Sequence, residues 1–241
     1  NNNKIRPICV GEIFYRICMK AILASIKTKI PEMLLPMQYG VGSACGVEPI
    51  LLRIQQSIND YDFDENNNTN NNLQGIGCFD LSNAFNSISR QLILKAIRTH
   101  CPVLERVFRW AYGHPTPLVI QNSKQVITSS QGVKQGDPFG PLLFSLGFRF
   151  AIEQIQNEIS DTNTEIFTYL DDMTVICSSK DQFNKISQVM KRMEQYGLTI
   201  NENKSSFYLI KDIKVNSIEI LGSCIGSEDN RSRFLNQKID K

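Results

Sequence analysis

The sequence is short of metal-binding nitrogen and of paired sulfur. Its only histidines are His100 and His114, and its seven cysteines (Cys9, Cys18, Cys45, Cys78, Cys101, Cys177 and Cys224) are scattered with no Cys-x-x-Cys spacing. That argues against a zinc site and against a disulfide framework. No apolar run approaches the roughly 18 residues of a membrane span, and no charged-then-apolar leader opens the chain. Secretion and membrane insertion are therefore not expected, and a reducing intracellular compartment, cytoplasm or nucleus, fits best. A large charge excess is missing too. The net charge of +2 and pI near 8.2 point only weakly to a nucleic-acid partner. Any basic groove must come from local placement of Arg98, Arg106 and Arg109, or of Lys185, Lys191 and Arg192, which read equally well as solvated helix faces.

What is present is ordinary globular material: 241 residues, 41% hydrophobic and 21% charged, enough to bury a substantial core. No internal repeat is visible. One stretch departs from this, with six asparagines in the seven residues 66–72. It has nothing to bury, and the spacing predicts a disordered surface insertion over 63–73.

Two adjacent acids, Asp171 and Asp172, interrupt an apolar stretch that reads as strand on either side. A solvated hairpin tip accounts for such a pair taken alone. Upstream, however, the apolar run 76–79 also ends on an acid, Asp80. If the two strands lie side by side the three carboxylates converge, giving an oxygen-rich site without thiol or imidazole. Such a site suits Mg²⁺, which prefers one or two carboxylates with water and substrate phosphate. Two such ions roughly 3.5–4 Å apart can clamp the attacking and leaving oxygens of a phosphoryl transfer. The chemistry suggested is nucleotidyl transfer.

Between these acids, Gly132, Gly136, Gly140, Pro138 and Pro141 make a rigid turn feeding an apolar helix. The turn is a plain loop-to-helix junction or a place where backbone approaches a nucleotide closely. Elsewhere the apolar period predicts helices over 12–29, 47–57, 104–112, 141–159 and 182–196, the last stopped by Gly197, and one capped by Ser89. A hairpin is predicted around Asn122-Ser123. The order implies an α+β fold, an antiparallel sheet with helices packed on one face.

In sequence order, the chain carries Arg6-Pro7-Ile8, Gln38-Tyr39-Gly40, Asp80-Leu81-Ser82-Asn83-Ala84-Phe85, Gln135-Gly136-Asp137-Pro138, Tyr169-Leu170-Asp171-Asp172, a Gly-Leu-x-Ile-Asn-x-x-Lys segment from Gly197 to Lys204, and Leu221-Gly222. Together these resemble the reverse transcriptases of retroelements, nearer in style to non-LTR elements than to retroviruses. The resemblance implies the palm of a right-hand polymerase with part of the fingers over 1–226, and an RNA-directed DNA polymerase using two Mg²⁺ ions, for which Mn²⁺ can substitute. It makes Asp80, Asp171 and Asp172 the catalytic, metal-binding carboxylates, with the Leu81 carbonyl as a further ligand. Phe85 matches the residue that excludes a 2′-hydroxyl by bulk. Arg6, Leu81, Gln135, Gly136 and Lys204 match nucleotide-binding positions, and Tyr169 one near the primer end. The implied partners are an RNA template, a DNA primer and deoxynucleoside triphosphates.

Bland alternatives stand beside these roles. Phe85 also reads as a core residue at a helix start, Lys204 as a solvated lysine after a turn, and Tyr169 as hairpin packing. Phe139-Gly140 departs from the commoner Leu-Ser after Gln-Gly-Asp-Pro. The polar segment 227–241 reads as the start of a missing thumb, and no RNase H-like or endonuclease-like region is expected. The competing function is an inactive retroelement remnant that at most binds nucleic acid. An RNA-templated RNA polymerase shares the paired acids, and Phe85 argues against it.

Overall fold

A computed structural model describes residues 8–61, 75–156, 158–159 and 164–239. Arg6 and the asparagine-rich stretch lie outside them. The Glu12 carboxylate accepts from the Phe14 and Tyr15 amides at 2.9 and 3.2 Å, and so caps α1 (Ile13–Ile26). A 3₁₀ turn leads to α2 (Ile30–Leu34), and α3 (Val47–Asn59) buries Ile50, Ile54 and Ile58 along one stripe. Strand β1 (Gly75–Phe79) runs into the short β2 (Leu81–Ser82), α4 (Ala84–Ser87) and α5 (Arg90–His100). Ser89 Oγ caps α5 by accepting from the Leu92 amide, as the sequence predicts.

After α6 (Glu105–Tyr112) comes the expected hairpin, β3 (Thr116–Val119) with β4 (Val126–Ser129). The long α7 (Gly140–Gln156) is buried on nearly every side, with Phe144 and Phe148 fully enclosed. A second hairpin joins β5 (Glu165–Tyr169) to β6 (Asp172–Cys177). The helix expected over 182–196 divides into α8 (Lys180–Lys191), capped by Ser179, and a 3₁₀ turn that ends on Gly197 with φ +77°. Then follow β7 (Thr199–Ile200), β8 (Ser206–Leu209), α9 (Ile210–Asn216), β9 (Ile218–Ile220) and β10 (Ser223–Ile225). Residues 228–239, expected as a polar tail, form α10 (Glu228–Ile239).

The main sheet has strand order β5-β6-β1-β8, all neighbours antiparallel. Helices on one face describe the larger core, in which Phe79, Met173, Val175 and Cys177 meet side chains of α5, α7 and α8. The other face is covered as well. Ile76 and Ile176 pack there with Ile50, Ile54 and Ile58 of α3 and with Ile210 and Ile213 of α9. The reason lies in β1 and β6 themselves, whose side chains are apolar almost without alternation because both faces must be buried. Among the described residues no helix is long and apolar enough to cross a membrane.

Candidate active site

Strand pairing brings the acids together. In the β1–β6 ladder Phe79 faces Met173, and since Asp80 follows the one and Asp172 precedes the other, both carboxylates are delivered to the same end of the sheet. Tyr169 pairs with Asp172, leaving Leu170 and Asp171 as the two-residue turn between β5 and β6. Leu170 takes a left-handed φ of +54°. The acid pair thus sits at a hairpin tip, Asp171 in the turn and Asp172 at the start of β6.

Asp80 is held at main chain and side chain. Its carbonyl accepts from the Asn201 amide at 2.8 Å and its own amide donates to Ser205 Oγ at 3.3 Å. Its Oδ2 accepts from Asn201 Nδ2 at 3.0 Å and lies 3.8 Å from Lys204 Nζ. The β2–β7 pairing of Leu81 with Ile200 fixes this connection. Gly197 makes the approach possible, because a Cβ there would lie 1.8 Å from the Ser87 carbonyl oxygen. Around Asp172, loss of water by burial, then the like charges of Asp171 and Asp80, push its carboxyl above the usual range, while Lys204 pulls it back.

These groups open onto a cleft of about 870 Å³. One wall is the segment 80–86, another the segment 134–137 with Pro141, and Leu170, Asp171 and Lys204 complete it. Phe85 turns its ring to the cleft and stacks on Phe144 behind it, centroids 4.2 Å apart and planes 13° apart. Gly136 adopts φ +99°, and a Cβ there would lie 2.4 Å from the Cys9 carbonyl oxygen. The Gln135 carbonyl accepts from the Cys9 amide at 2.7 Å, so the chain's first described residues dock on this loop.

Beneath the loop Asp137 is buried. Its Oδ2 accepts from Tyr15 at 2.6 Å and from Tyr112, while Oδ1 accepts from the Phe139 amide at 3.0 Å. Burial and the neighbouring carboxylate both push the two phenols far up, so they stay protonated donors. Lys134 Nζ sits over both rings, 5.5 and 4.8 Å from their centroids, and burial lowers its pKa.

Of the residues predicted from sequence, the cleft gathers Asp80, Leu81, Phe85, Gln135, Gly136, Asp171 and Lys204. Asp172 stands beside it. Tyr169 is half-buried against the α3 side of the sheet and does not line the cleft. Of the six cations from which a basic groove could be built, four are in ion pairs: Arg98 and Arg109 both bind Glu105, Lys191 binds Glu202 at 2.7 Å, and Arg192 binds Glu158. Sequence reasoning assigned no role to Lys134, Asn201 or Gln38. Each lies in or beside a named motif, but only the tertiary contacts show which way its side chain turns.

Among the described residues no three acidic, thiol or imidazole side chains are drawn around one point so as to hold an ion. The chemistry of the donor set nevertheless fits a hard cation. It consists of carboxylate oxygens, and their mutual repulsion already raises the pKa of Asp172.

An antiparallel sheet that ends in crossing acids, backed by helices and facing a glycine-bearing loop, is the palm of a right-hand polymerase. The chain belongs to the reverse transcriptase (RNA-dependent DNA polymerase) family, whose model matches residues 1–225. It is 27% identical over 210 residues to the retrotransposable element SLACS 132 kDa protein of Trypanosoma brucei gambiense, covering 85% of this chain and 16% of that protein. It is 29% identical over 142 residues to the retrovirus-related Pol polyprotein from type-1 retrotransposable element R2 of Bradysia coprophila, covering 54% of this chain and 16% of that one. The chain thus spans about a sixth of the length of these relatives. In fold it is similar to telomerase from Candida tropicalis in complex with a fragment of telomeric RNA, at TM-score 0.65 and 12% identity over 89% of this chain and 37% of that one. Telomerase from Candida albicans gives TM-score 0.61 and 10% identity over 90% of this chain and 37% of that one.

Proposed function

We propose that this chain is the catalytic part of an RNA-directed DNA polymerase. The observation that carries this reading is the single cleft in which Asp80 and Asp171 face Phe85 and the Gln135–Gly136 loop, with Lys134 and Lys204 at its walls. The three acids and the Leu81 carbonyl would hold Mg²⁺ or Mn²⁺, which when bound supplies positive charge to the reacting phosphate oxygens. Asp80 is oriented for this by Asn201. Lys204, close to Asp80 and mostly exposed, is free to turn toward a triphosphate, and Lys134 offers a second cation at low solvation. Phe85 presents a flat ring where the sugar of a deoxynucleotide would lie, and the Gln135–Gly136 loop borders the cleft where the base or template would pass. Arg6 is assigned to the phosphates and Tyr169 to the primer end by motif alone. The partners proposed are an RNA template, a DNA primer and deoxynucleoside triphosphates.

The test is primer extension on a polyribonucleotide template with Mg²⁺ or Mn²⁺ and deoxynucleotides, with Asp171→Asn run in parallel. Extension by the wild-type chain that falls at least about 100-fold in the variant, at unchanged melting temperature, supports the reading. Extension that survives Asp171→Asn removes the acid from the mechanism, and no extension from a folded wild-type chain overturns the activity.

A further inference from the structure

The turn that carries Asp171 is itself strained. Leu170 has a left-handed backbone, which costs a branched L-residue about 1–2 kcal/mol. Something must hold it there, and the neighbour in contact is Gln38, a fully buried side chain. Its Oε1 accepts from the Leu170 amide at 2.8 Å and its Nε2 donates to the Leu170 carbonyl at 3.0 Å. One carboxamide thus grips both ends of one residue. The same Oε1 accepts from the Gly40 amide at 2.8 Å, which fixes the orientation of the side chain. A Cβ on Gly40 would lie 2.6 Å from the Leu170 nitrogen, so a larger residue there would push the turn away.

The grip is anchored on its own side. Flanking Gln38, the Tyr39 amide donates to the Thr168 carbonyl and the Thr168 amide to the Met37 carbonyl, each at 2.8 Å. Residues 37–39 therefore run beside β5 as a short parallel partner and carry the carboxamide to the turn. The contacts at Leu170 are to backbone only, so they do not depend on which side chain occupies that position.

Resting on the polymerase reading, we propose that Gln38 is the positioning residue of the acidic turn: its carboxamide imposes the left-handed conformation of Leu170 and thereby sets Asp171 into the cleft. Gln38 touches no reacting atom and acts through the turn. Because Asp171 and not the nucleotide pocket is displaced when the grip is lost, the effect falls on turnover.

The experiment compares Gln38→Met, which fills the volume without hydrogen bonds, with Gln38→Met/Leu170→Gly, in which glycine takes the left-handed conformation freely. Two readouts are followed: amide exchange in the peptide 165–173, and steady-state primer extension. In Gln38→Met, exchange in that peptide should rise at least about tenfold, the free-energy equivalent of about 1.4 kcal/mol. kcat should fall at least about tenfold with KM for the deoxynucleotide within about threefold, and the second substitution should restore several-fold of the loss. Unchanged exchange and kcat with a lowered melting temperature would make Gln38 a packing residue only, and failure of Leu170→Gly to restore kcat would equally overturn the proposal. Should Gln38→Met not fold, Gln38→Asn, which keeps the amide on a shorter stem, takes its place with the same outcomes. A wild-type chain that extends no primer refutes the polymerase reading instead, while the exchange comparison still decides the grip.

Discussion

Replacing Phe85 by alanine should move two measurable quantities at once, because one ring serves two purposes. Its inner face stacks on Phe144 at 4.2 Å, and its outer side lines the cleft. Full burial of a phenylalanine loses about 3–5 kcal/mol on truncation to alanine. Phe85 is only half-buried, so about 2 kcal/mol is expected, of which the aromatic pair accounts for about 0.5–1.5 kcal/mol. For a domain of this size that lowers the melting temperature by about 4–8 °C. The second quantity is the ratio of kcat/KM for ribonucleotides to that for deoxynucleotides. If the ring occupies the space a 2′-hydroxyl would need, its removal should raise the ratio at least about tenfold, or about 1.4 kcal/mol. Phe144→Leu is the control, since Phe144 is buried behind Phe85 and outside the cleft lining. It should destabilise the chain while changing the sugar ratio far less. A Phe85→Ala protein that melts lower as expected but keeps wild-type sugar selectivity would refute the gate and leave Phe85 as core alone.

Further outcomes follow from the surroundings of the cleft. Gly197→Ala must hold φ +77° against a Ser87 carbonyl oxygen 1.8 Å from the new Cβ. A loss of at least about 2–3 kcal/mol is expected, seen as a drop of about 5–10 °C in the melting temperature. Glu105 is held down to about pKa 2 by hydrogen bonds from Arg98, then Arg109. Its folded pKa lies below its unfolded one, so its small stabilisation is complete above the ordinary carboxylate range and is lost as pH falls toward 2. The difference in melting temperature between wild type and Glu105→Gln should therefore be present at pH 6 and shrink on acidification. A difference that does not depend on pH would rule out the ion-pair triad.

The acids were legible because charge inside an apolar strand is costly and so conspicuous. Their delivery to the same end of the sheet was legible too, since each run ends on its carboxylate. Cover on both faces of the sheet had a signal, the unbroken apolar character of β1 and β6, but single runs of that kind do not say what lies above and below. The fate of Arg98 was not readable, because Glu105 reaches it only across the α5–α6 corner. Gln38 illustrates the deeper limit. Its motif was visible, yet a carboxamide acting on the backbone of a residue far along the chain leaves no trace in local pattern or period. The Asp137 buttress is similar: the buried carboxylate lies in a recognised motif, but its tyrosine partners come from α1 and α6.

The carboxylates also differ in how far the chain must travel to assemble them. Asp171 and Asp172 belong to a two-residue hairpin whose closure is local, an event of about 1–10 µs in isolated hairpins. Asp80 joins them only through the β1–β6 ladder, whose partners are remote in sequence and whose pairing bears the entropy of closing a long loop. A nascent or partly refolded chain can therefore hold the acid pair without its third member. Such a species would have a finished hairpin, yet an incomplete set of acids. Completion of the acid set waits on the non-local pairing of β1 with β6, which the topology places after closure of the local hairpin.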